Sequence, residues 1–267
     1  MKRHAARPGS RKPSSMHSVD IFGVRVDDVT YPEALAVLRQ AIQDRVPHVV
    51  TTPNPEFVML ARRDPAFRAV LQRAALNIPD GIGLVLAARL WGDRLRQHVQ
   101  GTDLVLLLAA ESAAAGYRWF LLGGWGDVAQ RAARALQQRF PGLEVAGAAP
   151  GSPAAADDPR TRALIRAAGR VDVLLVAYGA PNQEHWLDRN LATLGIPVGI
   201  GVGGVFNYLA GDAPRAPLWV RRVHFEWLHR FVTQPWRWRR QLALPRFAAL
   251  AVGRALARRW RQARGGP

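Results

Sequence analysis

The hydrophobic positions of this chain alternate between two periods. "VDIFGVRVDDV" (19–29) predicts a strand or hairpin, and "TYPEALAVLRQAIQDR" (30–45) a helix with Thr30 as N-cap. "HVVTTPN" (48–54) reads as a strand, and "PEFVMLARRDPAFRAVLQRA" (55–74) as helix interrupted near Pro65. A short strand and turn, "ALNIPDG" (75–81), precedes the apolar helix "IGLVLAARLWG" (82–92). After "GTD" (101–103) comes the helix "LVLLLAAESAAAG" (104–116). From residue 117 the alternation is regular. Strands at "YRWFLLGG", "LEVAGAAPG", "VDVLLVAYG" and "IPVGIGVGG" are separated by the helices "VAQRAARALQQRF", "DPRTRALIRAAG" and "PNQEHWLDRNLATLG". Continuous apolar strands at this spacing predict an α/β fold, a mainly parallel sheet with helices on both faces.

Charge divides the chain. Net charge is +17, of which residues 1–19 hold +5 and residues 212–267 hold +11, so the body from 20 to 211 is nearly neutral. Three segments follow: a disordered basic leader (1–19), an α/β domain (20–211) and a helical appendage rich in arginine and tryptophan (212–267). Five of the nine tryptophans lie in that appendage: Trp219, Trp227, Trp236, Trp238 and Trp260. Arginine and tryptophan together on amphipathic helices suit an anionic membrane surface. A helical layer covering the sheet with solvated arginines is the competing reading. The leader lacks the apolar core of a secretory signal, and no uncharged apolar run reaches the roughly 18 residues of a membrane span. Absence of cysteine excludes disulfides, thiolate metal sites and cysteine nucleophiles. The histidines have no metal-ligand spacing, and neither Ser112 nor Ser152 sits in a nucleophile elbow.

Ligands of open parallel sheets bind beyond the carboxyl ends of the strands. Five strand ends here carry glycine or polar residues: Thr51-Thr52-Pro53-Asn54, Pro79-Asp80-Gly81, Gly123-Gly124-Trp125-Gly126-Asp127, Gly179 to Glu184, and Gly201 to Asn207. Each has a plain structural reading as well. Asp80 and Asn54 could cap helices, the Gly123-Gly124 turn could be a tight strand–helix link, and Gly203-Gly204 could mark close packing. Their convergence is what points to a cleft. In "GAPNQE", Gln183 and Glu184 bring an amide and a carboxylate to a helix start. A nucleic-acid binder with a basic tail explains the charge but not the loop motifs of the neutral body. A dinucleotide-dependent oxidoreductase lacks its full glycine fingerprint.

The ordered set "TTPN", "PDGIG", "GTD", "LLGG", "GAPNQE", "GVGGVFNYLAG", "RAP", "FEWLHR" and "QPWRWRR" resembles the WecG/TagA/CpsF family of bacterial glycosyltransferases, over roughly residues 20–242. The resemblance implies a Rossmann-like fold. The implied activity is inverting transfer of an N-acetylmannosamine-type or related sugar from a UDP-sugar to an undecaprenyl-diphosphate-linked saccharide, for teichoic acid, common-antigen or capsule synthesis. It implies no metal and no cofactor apart from the UDP-sugar donor, and a C-terminal appendage that closes the site and docks the enzyme peripherally on the inner face of the cytoplasmic membrane. No nucleic-acid partner is implied, and a homo-oligomer is left open. On these positions Asp80 becomes the catalytic base. Thr52, Asn54, Gly81, Thr102, Asp103 and Asn207 become substrate contacts. Gly123, Gly124, Gly203 and Gly204 would approach the nucleotide or its diphosphate, and Gln183 and Glu184 would hold sugar hydroxyls. Arg215 becomes a further substrate contact, and Arg230, Arg237 and Arg240 would close over the active site and neutralise phosphate. The chain departs from the family pattern at three places: His98 stands where arginine is usual, Asn207 where aspartate is, and Asn182 where lysine is. A non-catalytic nucleotide-sugar binder or nucleic-acid binder with a basic tail is the alternative function.

Overall fold

The computed structural model describes residues 16–217, 219, 220, 228 and 242–264. Strands β1 (Ser18–Ile21) and β2 (Val24–Asp27) form an antiparallel hairpin, pairing Ile21 with Val24 across a two-residue turn. Both turn residues, Phe22 and Gly23, have positive φ, the conformation that matches a hairpin's right-handed twist. β1 begins at Ser18, inside the segment read from sequence as the leader, because Val19 and Ile21 are buried and draw it into the core.

The main sheet has six strands, all parallel, in the order β4-β3-β8-β7-β5-β6. These are β3 (His48–Thr51), β4 (Leu76–Asn77), β5 (Arg118–Gly123), β6 (Glu144–Ala149), β7 (Val173–Ala177) and β8 (Val198–Gly201). The expected parallel α/β architecture is present. Period-two alternation sends the side chains of β5 to opposite faces. Trp119 and Leu121 pack beneath α1 (Tyr31–Asp44), α5 (Gly101–Ala115) and α6 (Val128–Arg139). Phe120 and Leu122 pack with Ile165 of α7 (Asp158–Ala167) and with Trp186, Leu187 and Leu191 of α8 (Asn182–Leu194). α8 lies so close that a Cβ on Gly199 would stand 2.6 Å from Leu191. Thr30 caps α1 in a capping box with Glu33. Asp64 caps α3 (Pro65–Arg73), so the break before Pro65 is a stop for α2 (Pro55–Ala61) and a start for α3.

A third apolar cluster lies beside the sheet. It joins the hairpin to α2, α3, α4 (Ile82–Leu90) and the final helix, α10 (Ala243–Arg264), through Phe247, Ala251 and Ala255. Trp91 is the pivot. Its indole Nε1 donates to Ala251 O at 2.9 Å, the Arg254 guanidinium lies 4.1 Å from its ring centroid, and Arg258 donates to its carbonyl. Among the described residues, no helix is long and apolar enough to cross a membrane.

Candidate active site

At the carboxyl ends of β3, β4 and β8 lies a small cleft, partly open to solvent. Thr52 and Asp80 line one side, Gly101 and Thr102 of the α5 start another. Val202, Gly204, Val205 and Tyr208 close the third, from the β8 end and α9 (Val205–Leu209).

Asp80 is placed by backbone. Its N–H donates to Pro53 O (2.9 Å), Ile78 N–H to Thr51 O (3.0 Å), and Val99 N–H to Pro79 O (3.1 Å). The strand ends beneath are tied by a buried polar column. Thr51 Oγ1 donates to Asn77 Oδ1, Asn77 Nδ2 to Leu71 O at 2.8 Å, and Asn77 N–H to Asp27 Oδ2 at 2.8 Å. Satisfied buried networks of this kind rigidify what they support. The two carboxylate oxygens of Asp80 face different neighbours. Oδ1 lies 3.9 Å from His98 Nε2, whereas Oδ2 lies above the first residue of α5, 3.4 Å from where a Cβ on Gly101 would stand. That Cβ would also be 2.9 Å from Thr52 Cγ2, so only glycine lets α5 begin this near the base of the cleft.

The segment from Arg96 to Gln100 is clamped to α1. Arg96 donates to Asp28 Oδ2 at 2.8 Å and to Glu33 Oε1 and Oε2 at 2.9 and 2.7 Å. Tyr31 N–H donates to Gln97 Oε1 at 3.0 Å, and the Tyr31 hydroxyl accepts from Gln100 N–H at 2.8 Å. Burial pushes the Tyr31 phenol up to about 12, with Asp103 and Asp80 adding to the shift. Asp103 pairs with Arg215 at 2.7 Å, and Arg215 also donates to Gln100 Oε1 at 3.2 Å. Helix α5 starts at Gly101, three residues earlier than the sequence predicts, which puts Thr102 and Asp103 in its first turn.

Other sequence-derived candidates fall in different places. Asn54 caps α2, its Oδ1 accepting from Phe57 N–H at 3.0 Å, and Gly81 packs on Asn54 and Pro55. Gly123 and Gly124 sit on the same end of the sheet but at β5, two strands from β8. Gly123 lies against β7, where an added Cβ would come within 2.8 Å of Ala177 backbone atoms. Asn207 is exposed on α9, and its carbonyl accepts from Asp212 and Ala213 N–H. Arg230, Arg237 and Arg240 lie outside the described residues.

Gln183 and Glu184 are not among the described residues that line the cleft. Both are buried, and Gln183 Oε1 accepts from Gly179 N–H (3.1 Å) and Gly203 N–H (2.9 Å) while Nε2 donates to Glu184 Oε1 (2.7 Å). Their hydrogen bonds go to Gly179, to the Gly203 turn and to each other, and they brace the cleft wall from behind. Gly201 leaves them room, since a Cβ there would stand 2.7 Å from Gln183 Nε2. Desolvation raises the Glu184 carboxyl to about 7.

Sequence reasoning did not single out Gly101 or Tyr208. The signal for Tyr208 is helical spacing: Gly204, Val205 and Tyr208 recur at i, i+1 and i+4 and share one face of α9, away from Asn207.

The model of the glycosyl transferase WecG/TagA/CpsF family matches residues 19–262. A protein of Bacillus spizizenii named N-acetylglucosaminyldiphosphoundecaprenol N-acetyl-beta-D-mannosaminyltransferase is 35% identical over 203 residues, covering 76% of this chain and 78% of its own. A Bacillus subtilis protein of the same name is 32% identical, covering 78% of this chain and 80% of its own. One from Staphylococcus aureus strain NCTC 8325 is 27% identical over 81% and 85%. With its ordered strand-end motifs and a match over nearly its whole length, this chain belongs to the WecG/TagA/CpsF family of glycosyltransferases.

Proposed function

We propose that this glycosyltransferase moves an N-acetylmannosamine-type sugar from a UDP-sugar to N-acetylglucosamine carried on a polyprenyl diphosphate, with inversion and with Asp80 as general base. The names of the Bacillus and Staphylococcus relatives support the acceptor and the sugar. One observation carries the assignment of the base: of the described side chains lining the cleft, only Asp80 is a carboxylate. Inversion needs one group to take the proton of the attacking hydroxyl while UDP departs from the opposite side, and a second catalytic carboxylate is not required. Thr52, Thr102 and Tyr208 supply hydroxyls for the sugars. The backbone N–H groups in the first turn of α5, a helix of 15 residues, offer positive potential for phosphate. Arg215 and the C-terminal arginines Arg230, Arg237 and Arg240 are assigned to the departing diphosphate. The same basic segment holds the enzyme on an anionic membrane surface at the cytoplasmic face.

The test is UDP release from a panel of UDP-sugars with a short-chain prenyl-diphosphate-N-acetylglucosamine acceptor. Asp80→Asn should lower turnover by about 10²- to 10⁴-fold, the usual worth of a general base. Its UDP affinity and melting temperature should stay close to the parent's. Full turnover by the variant would remove the base assignment. Salt-sensitive nucleic-acid binding with no affinity for UDP would overturn the enzyme reading.

A further inference from the structure

We propose that His98 is a positioning residue for the base: its imidazole, 3.9 Å from Asp80 Oδ1, closes to a hydrogen bond on that oxygen when substrate binds, so that Oδ2 meets the acceptor hydroxyl. This rests on the reading of Asp80 as the base. The geometry separates the two oxygens of that carboxylate. Oδ1 is the atom that faces the His98 ring, at 3.9 Å from Nε2. Oδ2 stands on the side where Gly101 and Thr52 line the cleft, close above the start of α5. A carboxylate on a short side chain swings about two torsions, and a neighbour fixing one oxygen fixes the direction of the other. Misplacement of a reacting atom by about 1 Å costs on the order of 100-fold in rate, so holding the carboxylate is worth much more than one surface contact.

The structure builds His98 for this task. Its side chain is only 11% exposed, and both flanks of its segment are anchored. On one side Arg96 is locked to Asp28 and Glu33. On the other, Val99 N–H donates to Pro79 O, in the same turn that carries Asp80. The imidazole and the carboxylate are therefore held on two backbone segments that are hydrogen-bonded to each other. Arg96, two residues away, points its guanidinium at Glu33 and Asp28 and leaves the position next to Asp80 to the imidazole. Among the described residues, the other charged and titratable groups near the pair are Tyr31 at the start of α1, Asp103 in the first turn of α5 and Arg215. Arg215 is drawn towards Asp103 and Gln100, and the Tyr31 phenol stays protonated at working pH because burial raises it to about 12.

The experiment uses full-length enzyme and the UDP-release assay at saturating acceptor, with His98→Asn, His98→Gln, Asp80→Asn and the Asp80→Asn/His98→Asn double variant. Both amides keep a polar side chain in the space, but only glutamine carries its N–H as far as Nε2 of the imidazole. His98→Asn should lower kcat by about 10- to 100-fold with the donor KM nearly unchanged, the signature of a contact that matters in the transition state. His98→Gln should recover most of that loss. In the Asp80→Asn background, adding His98→Asn should change the residual rate by less than about twofold, because residues acting as a unit are not additive. Equal melting temperatures of the two amide variants establish that folding is not what separates them. Four results overturn the proposal: undiminished kcat in His98→Asn, equal loss in the two amide variants, a loss confined to donor KM, or an additive loss in the double variant. Undiminished turnover by Asp80→Asn alone strikes the base assignment instead, and that comparison is made before any His98 variant is read.

Discussion

Glu184 carries a residue-scale consequence that can be measured without any substrate. The carboxyl's Oε1 accepts from Gln183, and its Oε2 has no hydrogen-bond partner among the described residues. Desolvation therefore raises its folded value to about 7 from an ordinary 4.5. Between those two pH values the folded chain keeps a proton that the unfolded chain has lost. Stability must then fall as pH rises from about 4.5 to about 7, and level off above, by roughly 3 kcal/mol in total. Glu184→Gln removes the titration, so unfolding free energies at pH 5 and pH 8 should differ by about 3 kcal/mol less in the variant. An unchanged pH dependence would show that the carboxylate is relieved by some other contact. The same residue shows what could be read from the sequence and what could not. Polar letters after a strand mark candidate positions, and Thr52, Asp80 and Thr102 lie together along one cleft. They do not say which way a side chain turns. Gln183 and Glu184 turn inward because Gly201 leaves a space behind the wall, and that space is made by a strand distant in sequence. Tyr208 turns into the cleft although its neighbour Asn207 carries the more obviously chemical side chain.

Elements were legible to the extent that their signals are local. The β–α alternation, the cap at Thr30 and the break at Pro65 all rest on a few adjacent residues, and all are present. The start of α5 was not legible. Gly101 reads as a breaker, yet it opens a helix because Thr52 occupies the space that a side chain would need. Nor could the strand order be read, since pairing β3 with β8 joins segments about 150 residues apart, by contacts no short window contains. Gly123 gives the sharpest test at this scale. Its φ of +112° and its approach to the Ala177 backbone both exclude a side chain. Gly123→Ala should destabilise the protein by more than about 2 kcal/mol, overpacking and left-handed strain acting together. A thermal melt checks this, and a shift within error would mean that β5 and β7 separate more easily than their pairing implies.

The whole molecule carries its charge at its two ends, and the structure shows where part of it sits. Along α10, Arg254 and Arg258 are engaged with Trp91, while Arg259, Arg261 and Arg264 are exposed beside Trp260. If the enzyme docks on anionic lipid, Arg259→Glu with Arg261→Glu should weaken binding to phosphatidylglycerol vesicles about tenfold or more at low salt, at roughly 1 kcal/mol per basic residue near the surface. Binding that ignores these reversals would place the lipid contact elsewhere. Truncation is the poorer experiment, because α10 is also structural: Phe247→Ala alone should cost about 3–5 kcal/mol. That double duty bears on how the chain is made. The hairpin at residues 18–27 leaves the ribosome long before Phe247, Ala251 and Ala255, which complete the cluster it packs in. Its apolar face must wait until the chain has been synthesised past residue 255. A nascent chain stalled at residue 242 should accordingly be cut by protease within β1 and β2, while a chain that includes α10 resists, and newly made enzyme should depend on chaperones until α10 is released.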